Sequence, residues 1–334
     1  MTPLIEVRDL CKSFGGRRFI GGSTRPIHAV NRVSFEVHEG ETLGLVGESG
    51  CGKSTLARTL MFLEEPTAGE VLFNGKRLDK GDAQRLRRSA QIVFQDPYTS
   101  LPPRMRVRRI VAEPLLIHGL ANKGEIADRV ERLLADVGLK ADVGSKFPHQ
   151  LSGGQRQRVG IARALAVQPS LIIADEAVSS LDVSIQAQIL NLMKELQRTH
   201  RLSYLFISHD LGVVKYMSHR IAVMYLGEIV EVAKADELYS RPLHPYTRAL
   251  MSATPSLEPR RGRIVLEGEP PDPGNPPRGC EFHPRCPMCQ PVCRDEDPLL
   301  HEWLPGRVAA CHFALDEMSD AAGAAQSSEA EHAG

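Results

Sequence analysis

Three short runs in this sequence have the residue types and spacing for phosphate chemistry. The first, Gly47-Glu48-Ser49-Gly50-Cys51-Gly52-Lys53-Ser54-Thr55, fits G-x-x-x-x-G-K-[ST]. Its glycines let backbone N–H groups turn inward around phosphates, and the helix N-terminus that follows adds the positive end of its dipole. Lys53 is placed to reach the β- and γ-phosphates and Ser54 to ligate Mg²⁺. The second run, Leu171-Ile172-Ile173-Ala174-Asp175-Glu176, is apolar and ends in two carboxylates. There Asp175 is placed to hold Mg²⁺ or its water shell, and Glu176 to orient and deprotonate an attacking water. In the third, Leu151-Ser152-Gly153-Gly154-Gln155 opens a basic helix, Arg156–Leu165. Two glycines at a helix start leave backbone donors open to an anion. Together the runs predict hydrolysis of a nucleoside triphosphate.

The elements that must position these runs can be read around them. Leu43–Val46 is a short apolar strand entering the glycine turn, and a helix runs from Lys53 to about Leu63, ending before Pro66. Residues 2–10 and Val30–Val37 read as earlier strands, with an exposed Gly- and Arg-rich loop, Gly15–Pro26, between them. Residues 97–165 begin with prolines and then show helical spacing in Ile110–Leu116 and Ile126–Val137, which predicts a helical insert. Strand and helix alternate again through Leu171–Ala174, Ser184–Thr199 and Tyr204–Ser208. That alternation predicts an α/β fold on a parallel sheet. We expect an ATPase domain over 1–235, a small cysteine-rich domain over 236–315 and a disordered tail over 316–334, where Ala, Ser, Glu and Gly dominate.

Composition narrows the class. Of 334 residues, 42% are hydrophobic and 25% charged, and the 41 basic residues balance the 41 acidic ones. No global field therefore draws the chain to nucleic acid. Basic runs such as Arg104–Arg109 read as solvated faces or partner contacts. No stretch approaches the roughly 18–20 apolar residues that span a bilayer, and Glu6, Arg8 and Asp9 occupy the place of a signal-peptide core. A cytosolic chain is expected, with any membrane role supplied by a partner.

These residues, in order, resemble the ABC transporter ATPases. The likeness includes the phosphate loop, Gln95 in Val-Phe-Gln-Asp-Pro, the signature Leu151–Gln155, Asp175-Glu176, Ser180-Leu181-Asp182 and His209 in Ile-Ser-His-Asp. The resemblance implies a P-loop NTPase fold of ABC type in which two ATPase subunits sandwich ATP, the phosphate loop of one against Ser152–Gln155 of the other. It also implies that His209 contacts the γ-phosphate, that Gln95 links the Mg²⁺ site to the insert where permeases dock, and that Asp182 signals across the dimer. Phe14 matches the adenine-stacking position, with Phe19 a rival. Glu41–Gly52, Ser184–Gln188, His244-Pro245-Tyr246-Thr247, Gly279-Cys280 and Phe282–Pro287 are similar to dipeptide and oligopeptide importer ATPases, in particular their second, F-type subunit. Pro102, Ala177 and Ser180 depart from the family's usual Asn, Pro and Ala, and none removes a phosphate, Mg²⁺ or base group. The implied setting is the cytoplasmic face of the plasma membrane, with a second ATPase subunit, two permeases and an external solute-binding protein. Nickel, glutathione or another solute is an alternative cargo. A soluble ABC ATPase of DNA repair or translation is a rival class, which usually carries coiled coils or two ATPase halves.

Five of the seven cysteines form C-x5-C-x2-C-x3-C-x17-C from Cys280 through Cys286, Cys289 and Cys293 to Cys311. In a segment with few apolar residues, such a cluster suits a structural metal better than disulfides in a reducing compartment. Four thiolates accept either zinc or a [4Fe–4S] cluster. The resemblance implies an iron–sulfur cluster on Cys280, Cys286, Cys293 and Cys311. Zinc, helped by the Cys286–Cys289 spacing, and no metal at all stay open, with His283 and His312 as weaker ligand candidates.

Overall fold

The computed structural model describes residues 2–15, 18–19, 22–23, 26–96, 100–122, 124–253, 264, 266 and 268–315. The predicted tail 316–334, the start of the insert at 97–99 and most of residues 254–267 lie outside the described residues, as do parts of the loop Gly15–Pro26 and the side chain of Phe19.

The chain opens with strands β1 (Ile5–Phe14), β2 (Arg18–Phe19), β3 (Gly22–Ser23), β4 (Ile27–Val37) and β5 (Thr42–Val46), then helix α1 (Lys53–Leu60). Strands β6 (Ala68–Phe73) and β7 (Lys76–Arg77), helix α2 (Ala83–Ser89) and strand β8 (Ala90–Val93) follow. The insert holds α3 (Val107–Ile117), α4 (Ile126–Asp136) and α5 (Gly153–Leu165). Alternation resumes with β9 (Leu171–Asp175), α6 (Val183–His200), β10 (Ser203–Ile207), α7 (Leu211–Met217), β11 (Arg220–Tyr225) and β12 (Glu228–Lys234). The C-terminal region contributes α8 (Ala235–Ser240), α9 (Pro245–Ser252), α10 (Val292–Asp295), β13 (His301–Leu304) and β14 (Arg307–Ala309).

The main sheet runs β13-β14-β12-β11-β5-β10-β9-β8, parallel from β11 to β8 and antiparallel at the other end. A second antiparallel sheet runs β4-β1-β6-β7. Every residue of β5, β9 and β10 is buried, which is why those strands read as continuous apolar runs: both faces of a parallel strand are covered. Side-chain alternation decides which cover each residue meets. Leu171, Ile173, Leu205 and Ile207 join the core shared with α1 and the second sheet. Ile172, Ala174, Tyr204 and Phe206 join the core shared with the insert and α6. The parallel strands all end at one rim, where α/β sheets bind ligands.

The region after 235 does not stand apart. β14 pairs with β12, Glu231 opposite Ala309 and Val232 opposite Val308, so the C-terminal hairpin extends the ATPase sheet. Tyr246, Met251 and Phe282 lie in the main core. The carboxylate of Glu231, fully buried, accepts the N–H groups of Leu243 and His244, both at 2.8 Å.

Candidate active site

β5 delivers the chain into the loop Gly47–Gly52, which turns through Gly50 and Gly52 at φ +80° and +107°. A Cβ on Gly52 would stand 2.0 Å from the carbonyl oxygen of Ala29, and one on Gly47 2.2 Å from that of Met224. Backbone passes so close on both sides that only glycine fits. Lys53, the first residue of α1, is almost wholly buried, and its Nζ donates to the carbonyls of Gly47 at 2.9 Å and Glu48 at 2.8 Å. The ammonium is thus held at the loop, where a bound phosphate would meet it.

Ser54 Oγ donates to Asp175 Oδ1 at 2.9 Å. Burial pushes the Asp175 carboxyl up, with Glu176 adding to the shift, while the Ser54 hydrogen bond and the Lys53 and Arg58 charges oppose it. A divalent cation at this hydroxyl–carboxylate pair would favour the ionised form. The donors are hard oxygens, and one carboxylate plus substrate phosphate is a sufficient Mg²⁺ set.

Glu176 leaves the end of β9 in the left-handed region, φ +49°, with its N–H bonded to the carbonyl of Ile207 at 2.9 Å. Such backbone in a non-glycine residue costs about 1–3 kcal/mol and gathers at functional positions. Its carboxylate reaches His209 Nδ1 at 3.2 Å, and His209 itself is exposed just beyond β10. A carboxylate held in this way beside an open rim can take a proton from water.

Other candidates take separate places. Gln95 is exposed beyond β8, and its carbonyl accepts from Ser180 Oγ at 3.4 Å. Ser152 caps α5 by accepting from the Gln155 N–H, while the Gln155 side chain accepts from the Ser152 N–H. Gly153 and Gly154 press on Leu181 and Ile185; a Cβ on Gly154 would come within 2.5 Å of Ile185 Cγ2. The signature run is therefore packed beside exposed Asp182, the N-cap of α6. Phe14 ends β1 opposite Ile27, with the Lys12 ammonium 4.8 Å from its ring centroid. The ring is 39% exposed, which leaves a face open for a base.

The four cysteines of the expected metal site come to one place. Cys280, Cys286, Cys293 and Cys311 do line one narrow cavity, and Cys289 is outside that lining, its thiol 3.7 Å from the carbonyl of Gln290. Yet among the described residues no three His, Cys, Asp or Glu side chains are gathered so as to hold a metal ion. Sulfurs around one zinc stand about 3.8 Å apart, because each Zn–S bond is about 2.3 Å. Burial pushes the Cys280 thiol up to about 12 and the Cys286 thiol up to about 11, with neighbouring sulfurs adding to both shifts. His283 and His312 are engaged with the backbone carbonyls of Cys280 and Glu296.

Two residues that sequence reasoning gave no role reach the phosphate loop. Arg285 grips the Glu48 carboxylate through Nη1–Oε2 at 2.9 Å and Nη2–Oε1 at 3.2 Å. The Tyr246 hydroxyl accepts the Glu48 N–H at 2.9 Å. The only sequence signal was their position in the His-Pro-Tyr-Thr and Phe-His-Pro-Arg-Cys-Pro runs, about 200 residues or more from the loop.

Comparison with known proteins agrees with this geometry. The ABC transporter family matches residues 30–179, and the oligopeptide/dipeptide transporter C-terminal region matches residues 230–293. The chain is 50% identical to the oligopeptide transport ATP-binding protein AppF of Bacillus subtilis, covering 93% of this chain and 97% of that one. It is 46% identical to the di/tripeptide transport ATP-binding protein DppF of Pseudomonas aeruginosa, covering 94% and 98%. Among solved structures, cbiO1 from Clostridium perfringens, part of the ABC transporter complex cbiONQ, superposes with a TM-score of 0.62 at 27% identity over 72% of this chain and 92% of that one. The ATP-binding cassette MJ0796, solved as a dimer in a post-hydrolysis state with ADP and Pi, gives 0.60 at 30% identity over 69% and 98%. The chain belongs to the ABC transporter family and is an ATPase of that type. Within the family it carries the C-terminal region of the oligopeptide and dipeptide transporters. Among the described residues no helix is long and apolar enough to cross a membrane.

Proposed function

We propose that this chain powers an importer of dipeptides or oligopeptides, working with a second ATPase subunit and two permeases at the cytoplasmic membrane face. The observation that carries the motor role is one rim where Lys53, the Ser54–Asp175 pair and the Glu176–His209 pair meet. In this reading Gly47–Thr55 binds the triphosphate, Phe14 stacks adenine, and Ser54, Asp175 and Gln95 serve Mg²⁺. Glu176 takes the proton from the attacking water, and His209 contacts the γ-phosphate. Leu151–Gln155 and Asp182 act on the nucleotide of the partner subunit. The peptide cargo is supported by the relatives' names and by the matched C-terminal region.

Docking of the permeases to the insert is supported by an apolar groove between α3 and α4, lined by Ala112, Leu116, Ile126 and Val130. We treat 1–235 as the ATPase unit and 236–315 as its own functional region. For the latter we favour a [4Fe–4S] cluster on Cys280, Cys286, Cys293 and Cys311. Support comes from their shared cavity and the separate place of Cys289; such a cluster would act structurally.

Glu176→Gln should keep ATP binding but lose about 100-fold or more of turnover, as expected for a general base. Uptake of labelled dipeptides by the reconstituted transporter should fall with it; hydrolysis at the parental rate would refute the assignment. Metal analysis of protein purified without oxygen tests the cluster. About four irons per chain support it, whereas one zinc and no iron would replace it with the rival.

A further inference from the structure

Glu48, the second residue of the phosphate loop, is held from two directions by the C-terminal region. The Arg285 fork on its carboxylate is bidentate, the geometry that makes such pairs strong and directional. The guanidinium side chain is 7% exposed, so losing either partner would strand a largely desolvated charge. The Tyr246 hydroxyl holds the backbone of the same residue. Behind both, Phe282 meets Tyr225 edge-on at 5.3 Å and Tyr246 at 5.5 Å between ring centroids, all three rings buried. Arg285 directly precedes Cys286, which lines the four-cysteine cavity with Phe282. From that cavity to the loop there are only two steps: one peptide bond and one ion pair.

We propose that Arg285 and Tyr246 are positioning residues for the phosphate loop, so that ATP affinity depends on the packed state of the cysteine-lined region. The proposal rests on the reading of Gly47–Thr55 as the ATP loop. Neither residue is assigned contact with the reacting atoms. Their effect falls on how well the loop is arranged before nucleotide arrives, hence on binding rather than on the chemical step.

The test uses the full chain for equilibrium binding of a fluorescent ATP analogue, and the transporter assembled with its partners for kinetics. Arg285→Gln should weaken binding and raise KM for ATP by about tenfold, the usual scale of coupling between sites. The kcat at saturating ATP should stay within about twofold. Glu48→Gln should weaken binding to a similar degree, and the double variant should bind no worse than either single one. Tyr246→Phe, which removes one oxygen, should weaken binding by a smaller factor in the same direction. The single tryptophan, Trp303, reports packing of the region through its emission. Parental affinity in Arg285→Gln and Tyr246→Phe would overturn the proposal, as would strictly additive losses in the double variant. If Arg285→Gln shifts the Trp303 emission, Tyr246→Phe decides by the same criterion. Lys53→Ala separates the two readings: if it binds ATP as the parent does, the loop assignment itself fails. If only Lys53→Ala loses binding, the loop stands and the positioning role is refuted.

Discussion

At the residue scale, the site depends on positions where side-chain chemistry is subordinate to backbone shape. Gly52 stands at φ +107° with a carbonyl oxygen where a Cβ would go. Gly52→Ala should therefore distort the loop and reduce ATP binding at least as much as Lys53→Ala, which equilibrium binding would reveal; unchanged affinity would mean the loop can open without cost. Lys53, Ser54, Asp175 and Glu176 were legible because their chemistry lies in contiguous runs. The Glu176–His209 pair was legible only as two separate motifs, since they stand 33 positions apart in the chain with a complete helix between. Arg285 and Tyr246 were invisible as loop contacts. Nothing in a local pattern says that a residue beside a cysteine will face a glutamate 237 positions earlier.

Among the elements, strands β5, β9 and β10 and helices α1 and α6 were read within three residues of their ends, because fully buried apolar strands and amphipathic helices announce themselves. The β11–β12 pair and the short strands β6, β13 and β14 escaped, since their identity comes from neighbours rather than from their own alternation. α9 shows how such a late element is secured. Its N-cap, His244, is fully buried, accepts the Tyr246 N–H at Nδ1 and has its own N–H held by Glu231. Burial lowers its imidazole to about 3. Between the ordinary value near 6.5 and about 3 the unfolded chain binds a proton that the folded one refuses, so stability rises with pH across that window. The midpoint of thermal unfolding should accordingly drop as pH falls below about 6.5, and His244→Asn should flatten that part of the profile. A profile equally steep in the variant would place the titration elsewhere. Glu231→Ala should cost about 2–5 kcal/mol in denaturant unfolding, because two buried N–H groups lose their acceptor; a change under about 0.5 kcal/mol would mean that they find another.

On the scale of the whole molecule, the signature run and the phosphate loop act through a second subunit in the proposed function. The isolated chain should then be a weak ATPase, stimulated by its partner ATPase and permeases. Full activity from a chain that light scattering shows to stay monomeric during turnover would contradict that. The C-terminal hairpin has a consequence for how the molecule is born. β12 leaves the ribosome some seventy residues before β14, its outer neighbour. At about 5–20 residues per second, its outer row of amides waits roughly 4–15 s for a partner. Val230 and Val232 lie on that bare rim, the kind of edge on which nascent chains adhere to one another. A message cut short before codon 307 would make that wait permanent. Its product should accumulate in aggregates even though every nucleotide-site residue has already been made.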